Sequence, residues 1–234
     1  MLLPRNLQTV LDAALLEVQS HLEHQLSAET RIKIYIAFGE YDSNHNLERK
    51  TPIRGHLALI TARRVIHIWD DIGHFIHQYF GITGRGLSGD YLPLSDPQKV
   101  HFLTLMVSED YLSGYVPITD LYNASEKLYY ISDSLIRYVN DLIETMKLSP
   151  SDADEFYYRS VAVRACYRVI RDVYGFRHIP IITRNDRLLI EDTAHFAMLS
   201  ECGKDKTKAL KFWTWWLSEA IPQTWEKVYG TVKL

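Results

Sequence analysis

His67-Ile68-Trp69-Asp70-Asp71-Ile72-Gly73-His74 places two imidazoles and two carboxylates where a helix would align them. His67, Asp70, Asp71 and His74 stand at i, i+3, i+4 and i+7, along one helical face. Imidazole nitrogens and carboxylate oxygens so spaced are ligands for zinc or non-haem iron. Bundle metal sites, however, draw on several helices, each repeating a Glu-x-x-His pair. Among the other helical patterns, Asp192 and His195 offer one Asp-x-x-His. A helical metalloenzyme using His67, Asp70, Asp71 and His74 is therefore the alternative. The first expectation is a polar stripe with i,i+4 pairs, opposite an apolar face of Ile68, Ile72 and Phe75. It assigns the chain no metal, no cofactor and no catalytic residue.

Other chemistry-bearing patterns are weaker. Gly84-Arg85-Gly86-Leu87-Ser88-Gly89 matches Gly-x-Gly-x-x-Gly, but a helical pattern precedes it and Asp90-Tyr91-Leu92-Pro93 follows. A phosphate cradle needs a strand before the glycines and a helix N-terminus after them, so the segment is expected to be a connector, spanning about 81–95. Cys166 lies in the apolar middle of a helical pattern, where a thiol is inert. Arg164, Arg168 and Arg171 share a stripe on that helix, with Arg159 before them. Pairing with carboxylates such as Asp172, Asp120 or Asp141 is the expectation there.

The elements that would position these groups are helical. Leu7, Val10, Leu11, Ala14, Leu15, Val18 and Leu22 form one apolar stripe behind Pro4. Ile32, Ile34, Ile36 and Phe38 alternate as a strand would, yet no second strand exists to pair with them, so a helix is expected. A long helix runs from Ile53 to about Phe80, with Ala58 and Ala62 small enough for a neighbour to approach. Further helices are expected over about 96–112, 118–147, 153–174 and 187–200. Residues 42–51 are polar and expected to form a loop. Ser149-Pro150-Ser151-Asp152 supplies a cap before the third of these helices, 153–174. Four of the five tryptophans fall in the last twenty-two residues. There Ala209, Phe212, Trp213, Trp216, Leu217 and Ala220 turn inward at helical spacing, Trp215 stays partly uncovered, and Pro222 is expected to stop the helix. The sum is an all-α fold, a single compact bundle-like domain over residues 1–234 with about seven or eight helices.

Composition narrows the class. An apolar share of 47% and a charged share of 24% are ordinary for a globular protein. The start lacks a basic, apolar leader, and no uncharged apolar run is long enough to span a bilayer. Cys166 and Cys202, the only two cysteines, suit a reducing compartment, so a cytoplasmic protein is expected. The formal charge of −3 argues against direct nucleic-acid binding. Charge is uneven: from Ser108 to Glu155 ten acids face three bases, a local charge of −7. Such a run is a solvated face or a patch that meets a basic partner.

Two segments resemble a known family. His56-Leu57-Ala58-Leu59-Ile60-Thr61-Ala62-Arg63-Arg64-Val65-Ile66-His67-Ile68-Trp69-Asp70-Asp71 is similar to the Leu-Ala, Ala-Arg-Arg-Val, Trp-acid helix of the fifth numbered immunity family of bacterial polymorphic toxin systems. Phe212-Trp213-Thr214-Trp215-Trp216-Leu217-Ser218-Glu219-Ala220-Ile221-Pro222 resembles that family's closing pattern. The centre departs from it, with Tyr129, Tyr130, Tyr157 and Tyr158 where the family is alanine-rich. The resemblance implies a cytoplasmic immunity protein, an antitoxin that binds and occludes a cognate toxin domain without catalysis. The matching residues are expected to be structural. If the toxin is a basic nuclease, the acidic middle would compete with phosphate for its groove, and Asp120, Glu126, Tyr130, Asp133 and Glu144 are the expected contacts. A third expectation is an adaptor whose Trp215 face binds a partner helix.

Overall fold

Helix α1 (Arg5–Ser20) begins behind Pro4, whose carbonyl accepts from the Gln8 amide at 2.9 Å, and buries Leu7, Leu11, Ala14 and Val18. Helix α2 (Ala28–Ala37) settles the ambiguous stretch as helix. Ser27 caps it by accepting from the Thr30 amide, and Arg31, Ile34, Tyr35 and Phe38 turn inward with helical period. Helix α3 (Pro52–Thr83) is the longest element, about 48 Å at 1.5 Å per residue. Helix α4 is Lys99–Leu112. The computed structural model describes residues 3–39, 52–83, 99–117, 119–121, 143–145, 147–174 and 192–230, with backbone alone at 69–83, 99–103, 171 and 174. The expected loop at 42–51, the glycine segment from 84 and most of the 118–147 helix lie outside the described residues.

The helix expected over 153–174 is two. Helix α5 (Pro150–Ser160) starts at the Ser149 cap, and α6 (Ala162–Tyr174) follows after Val161. The Val161 amide is shared between the Tyr157 and Tyr158 carbonyls, 3.2 Å from each, while the Ser160 hydroxyl donates to the Tyr157 carbonyl at 2.7 Å. This tightened turn breaks the helix without a proline or glycine to announce it. Helix α7 (Thr193–Cys202) opens at Asp192 and closes at Gly203, and α8 (Lys206–Trp215) opens at Asp205. Pro222 does not stop the last helix. The chain widens into a π-turn over Trp216–Ala220, where the Ile221 amide reaches the Trp216 carbonyl, and α9 (Ile221–Tyr229) continues beyond it. Pro222 thereby falls in a first helical turn, where a missing N–H is tolerated.

The fold is all-α, and among the described residues there is no strand. Helix α3 runs down the centre, packed most extensively on α6, with α7 against both and α4 on the outer side of α6. Helix α1 lies on α2 and α8, and α9 returns to α3. One apolar core joins residues from all of these helices except α5, which reaches it through Phe156 and Tyr157. The inward set expected for the tryptophan tail is buried throughout, with Trp213 and Trp216 among the largest fully enclosed side chains. The Trp216 indole N–H donates to the Thr61 hydroxyl on α3 at 3.1 Å. Trp215 is half-covered: the Arg64 guanidinium lies 4.2 Å from its ring centroid.

Among the described residues, two buried ion pairs cross the core. Arg31 Nε donates to Asp192 Oδ2 at 2.9 Å, and the Tyr35 hydroxyl donates to the same oxygen at 3.0 Å. Arg54 donates to Asp172 at 2.7 Å, and Asp172 also accepts from the hydroxyl and amide of Thr193. Removing one member of a buried pair strands the other, whereas removing a single hydrogen bond costs less. Tyr35→Phe is therefore expected to lower the unfolding free energy by about 2 kcal/mol, and Arg31→Met by about 4 kcal/mol. Urea titrations of the two variants check this order. Equal losses would show that Arg31 does not compensate the Asp192 charge.

Candidate functional site

The turn between α7 and α8 shapes a cleft. Gly203 takes a φ of +54°, and the Tyr158 ring stands where a side chain there would project, 3.3 Å from a Cβ position. Around this turn, His67 of α3, Asp154, Glu155 and Tyr158 of α5, and Glu201 and Lys208 line a cavity of about 520 Å³. Its charges are largely matched. Lys204 pairs with Asp154, Arg159 with Glu155 at 3.6 Å, and Arg64 bidentately with Glu201 at 2.5 and 2.7 Å. Cys202 also lines the cavity, but burial pushes its thiol up to about 12, with the Glu201 charge adding to the shift. Such a thiol is a poor nucleophile, since the thiolate is the reactive form.

His67 is exposed on the rim of this cleft. Asp70, Asp71 and His74 continue on α3, but their side chains lie outside the described residues. Among the described residues no group of three or more His, Cys, Asp or Glu is placed to hold a metal ion. Asp192, which with His195 forms an Asp-x-x-His, has a different task. Its carboxylate caps α7, accepting from the His195 amide at 2.8 Å, while its other oxygen holds Arg31 and Tyr35. Of the carboxylates expected to pair with the arginine stripe of α6, Asp172 is held by Arg54 from α3, and Asp141 lies outside the described residues, as does the Arg171 side chain. Arg164 and Arg168 lie over the Phe196 ring at 5.8 and 5.4 Å.

Of the expected partner contacts, Asp120 and Glu144 are exposed. Glu126, Tyr130 and Asp133 lie outside the described residues, so the acidic middle is seen only at its two ends. At the first end, beside Asp120, the structure adds residues that periodicity did not single out: Met106 on α4 and Tyr115 just beyond it, both strongly exposed. Arg31 and Arg54 were missed as well. Their signal was present, because each stands within an apolar stripe: Arg31 with Ile34, Tyr35 and Phe38, and Arg54 with Leu57, Ala58 and Thr61.

The arginine pair of the long helix is structural. Arg63 binds Glu109 of α4, and Arg64 binds Glu201 of α7 while covering Trp215. Among the described residues no helix is long and apolar enough to cross a membrane. At pH 8 a thiol with a pKa of about 12 is ionised to about one part in ten thousand. Cys202 is therefore expected to resist alkylation by iodoacetamide in the folded protein and to react once urea exposes it. Rapid native-state labelling of Cys202, located by peptide mapping, would contradict the enclosure described here. No protein-family model matches the chain, and no curated protein matches it.

Proposed function

We propose that this chain is an immunity protein: a helical antitoxin that binds a cognate toxin domain and covers its active site. The observation that carries the proposal is spatial. The two segments that resemble the immunity family are separated by about 150 residues, yet they meet in one contact. Trp216 donates to Thr61, Arg64 lies over Trp215, and Ala58 and Ala62 are buried on the same helix. A pattern split between two distant segments gains weight when its pieces pack together, because a chance match of either piece carries no such requirement. Here the alanines admit neighbouring helices, the arginines tie α3 to α4 and α7, and the tryptophans dock the end of the chain.

On this proposal the shared residues build the scaffold, and the partner is met elsewhere on the surface. Occluding a toxin takes an interface on the order of 1,600 Å² in total, more than the cleft by Gly203 alone offers. The charge distribution suits a basic partner, such as a nuclease whose groove would otherwise hold phosphate. The test is co-expression with the toxin domain encoded beside this gene. Growth restored by the wild-type chain, with the two proteins co-eluting on gel filtration, is the expected result. Unrelieved toxicity and separate elution would overturn the proposal.

A further inference from the structure

Helix α4 ends in a way that serves the free protein poorly. The Gly114 amide donates to the Tyr111 carbonyl at 3.0 Å and the Tyr115 amide to the Asp110 carbonyl at 2.8 Å, with Gly114 at φ +80°. This pair of bonds is a Schellman turn, in which the residue after the glycine ordinarily packs on an apolar residue in the last turn of the helix. Here the residue five positions back is Asp110, and Tyr115 is 82% exposed. The ring is thus held on a fixed backbone with most of its surface open to solvent. Met106, one turn before Asp110 on the same face, is 52% exposed.

The charges at this corner are also unfavourable to the isolated chain. A helix C-terminus is its negative pole and favours cations. The last turn of α4 instead carries Glu109 and Asp110 and has no basic residue. Exposed Asp120 follows just past Pro117, whose carbonyl accepts from the Asp120 amide at 3.1 Å. Glu109 is neutralised by Arg63, whereas Asp110 and Asp120 pair with no cation among the described residues. Aromatic, thioether and uncompensated carboxylates therefore share one corner.

We infer that Met106, Asp110, Tyr115 and Asp120 form a docking surface for a basic protein face. Lysine or arginine side chains would meet the two carboxylates and the negative pole of α4, and an arginine or aliphatic group would lie on the Tyr115 ring. The charges exclude other occupants. Nucleic acid would bring phosphate against carboxylate, and a second copy docking through the same patch would set acid against acid. The inference rests on the proposed function only for the partner being a toxin, not for its charge.

Two arms separate the claims. In the first, the ¹⁵N-labelled chain is titrated with a synthetic helical peptide of alternating Lys/Arg and Leu turns, and with a twin carrying Glu for each base. The basic peptide is expected to shift amides within 106–120, to bind about tenfold or more weakly to Tyr115→Ala and to Asp110→Asn, and to weaken as salt screens the charges. The acidic twin is expected to shift none of them. Tyr115 is exposed, Asp110 is half-buried and Gly114 preserves the turn, so unchanged circular-dichroism melting will show the variants folded. Shifts that map elsewhere, no shifts at all, or undiminished binding by both variants would overturn the surface. In the second arm the same variants are co-expressed with the neighbouring toxin domain. If wild type and both variants protect equally, the surface is wrong and the immunity proposal stands. If the peptide maps to the corner but wild type protects against no toxin, the surface stands and the immunity proposal falls.

Discussion

Asp172 and Asp192 are almost fully enclosed, and each carboxylate is neutralised by an arginine more than a hundred residues earlier in the chain. Taking such charges out of water is costly, and a buried pair gains little over well-packed apolar groups of the same shape. What the pairs supply is a condition on assembly. Asp192 meets Arg31, Tyr35 and the α7 amide of His195 only if α2 and the start of α7 are neighbours. Asp172 meets Arg54 and Thr193 only if α3, α6 and α7 converge. The two pairs are linked by aromatic rings: Arg54 lies over Tyr35, and Arg31 lies 5.6 Å from the Trp213 ring. The tryptophan tail closes over an electrostatic frame already shared by α2, α3, α6 and α7.

That frame explains what could be read from the chain and what could not. Periodicity placed α1, α3 and the inward face of the tail, because their buried residues recur at three and four positions and nothing local competes. In α2 the isoleucines also alternate as in a strand, and helix followed only from the want of a second strand to pair with them. It could not show the break at Val161, which depends on one hydroxyl bonding one carbonyl, nor the π-turn that carries the chain past Pro222. The sequence marked Asp192 as half of an Asp-x-x-His, but its role was decided by Arg31, a residue with no local link to it. A charge inside an apolar stripe is the sign of such a partner, though the partner itself is fixed by tertiary packing.

Surface residues pose the opposite problem. Periodicity marks what is inside, and an exposed tyrosine is invisible to it. Asp120 and Glu144 were legible through charge density alone, whereas Tyr115 and Met106 emerge only from the turn at Gly114 and their exposure in the fold. The separation of duties is consistent. Ala58, Ala62, Arg63 and Arg64 of α3, with Trp213 and Trp216 of the tail, are engaged in packing and ion pairing within the fold. The end of α4, with its mismatched charges and exposed Tyr115 ring, is the surface we infer to be left for a basic protein.

Hydrogen–deuterium exchange on the chain alone and in complex with the toxin domain proposed as its partner tests this division most directly. Slowed exchange confined to the amides of residues 106–120 and their neighbours, with the core helices α3 and α6 unchanged, is the result predicted here. Protection centred instead on the Gly203 cleft, on Trp215, or on no part of α4 would contradict it.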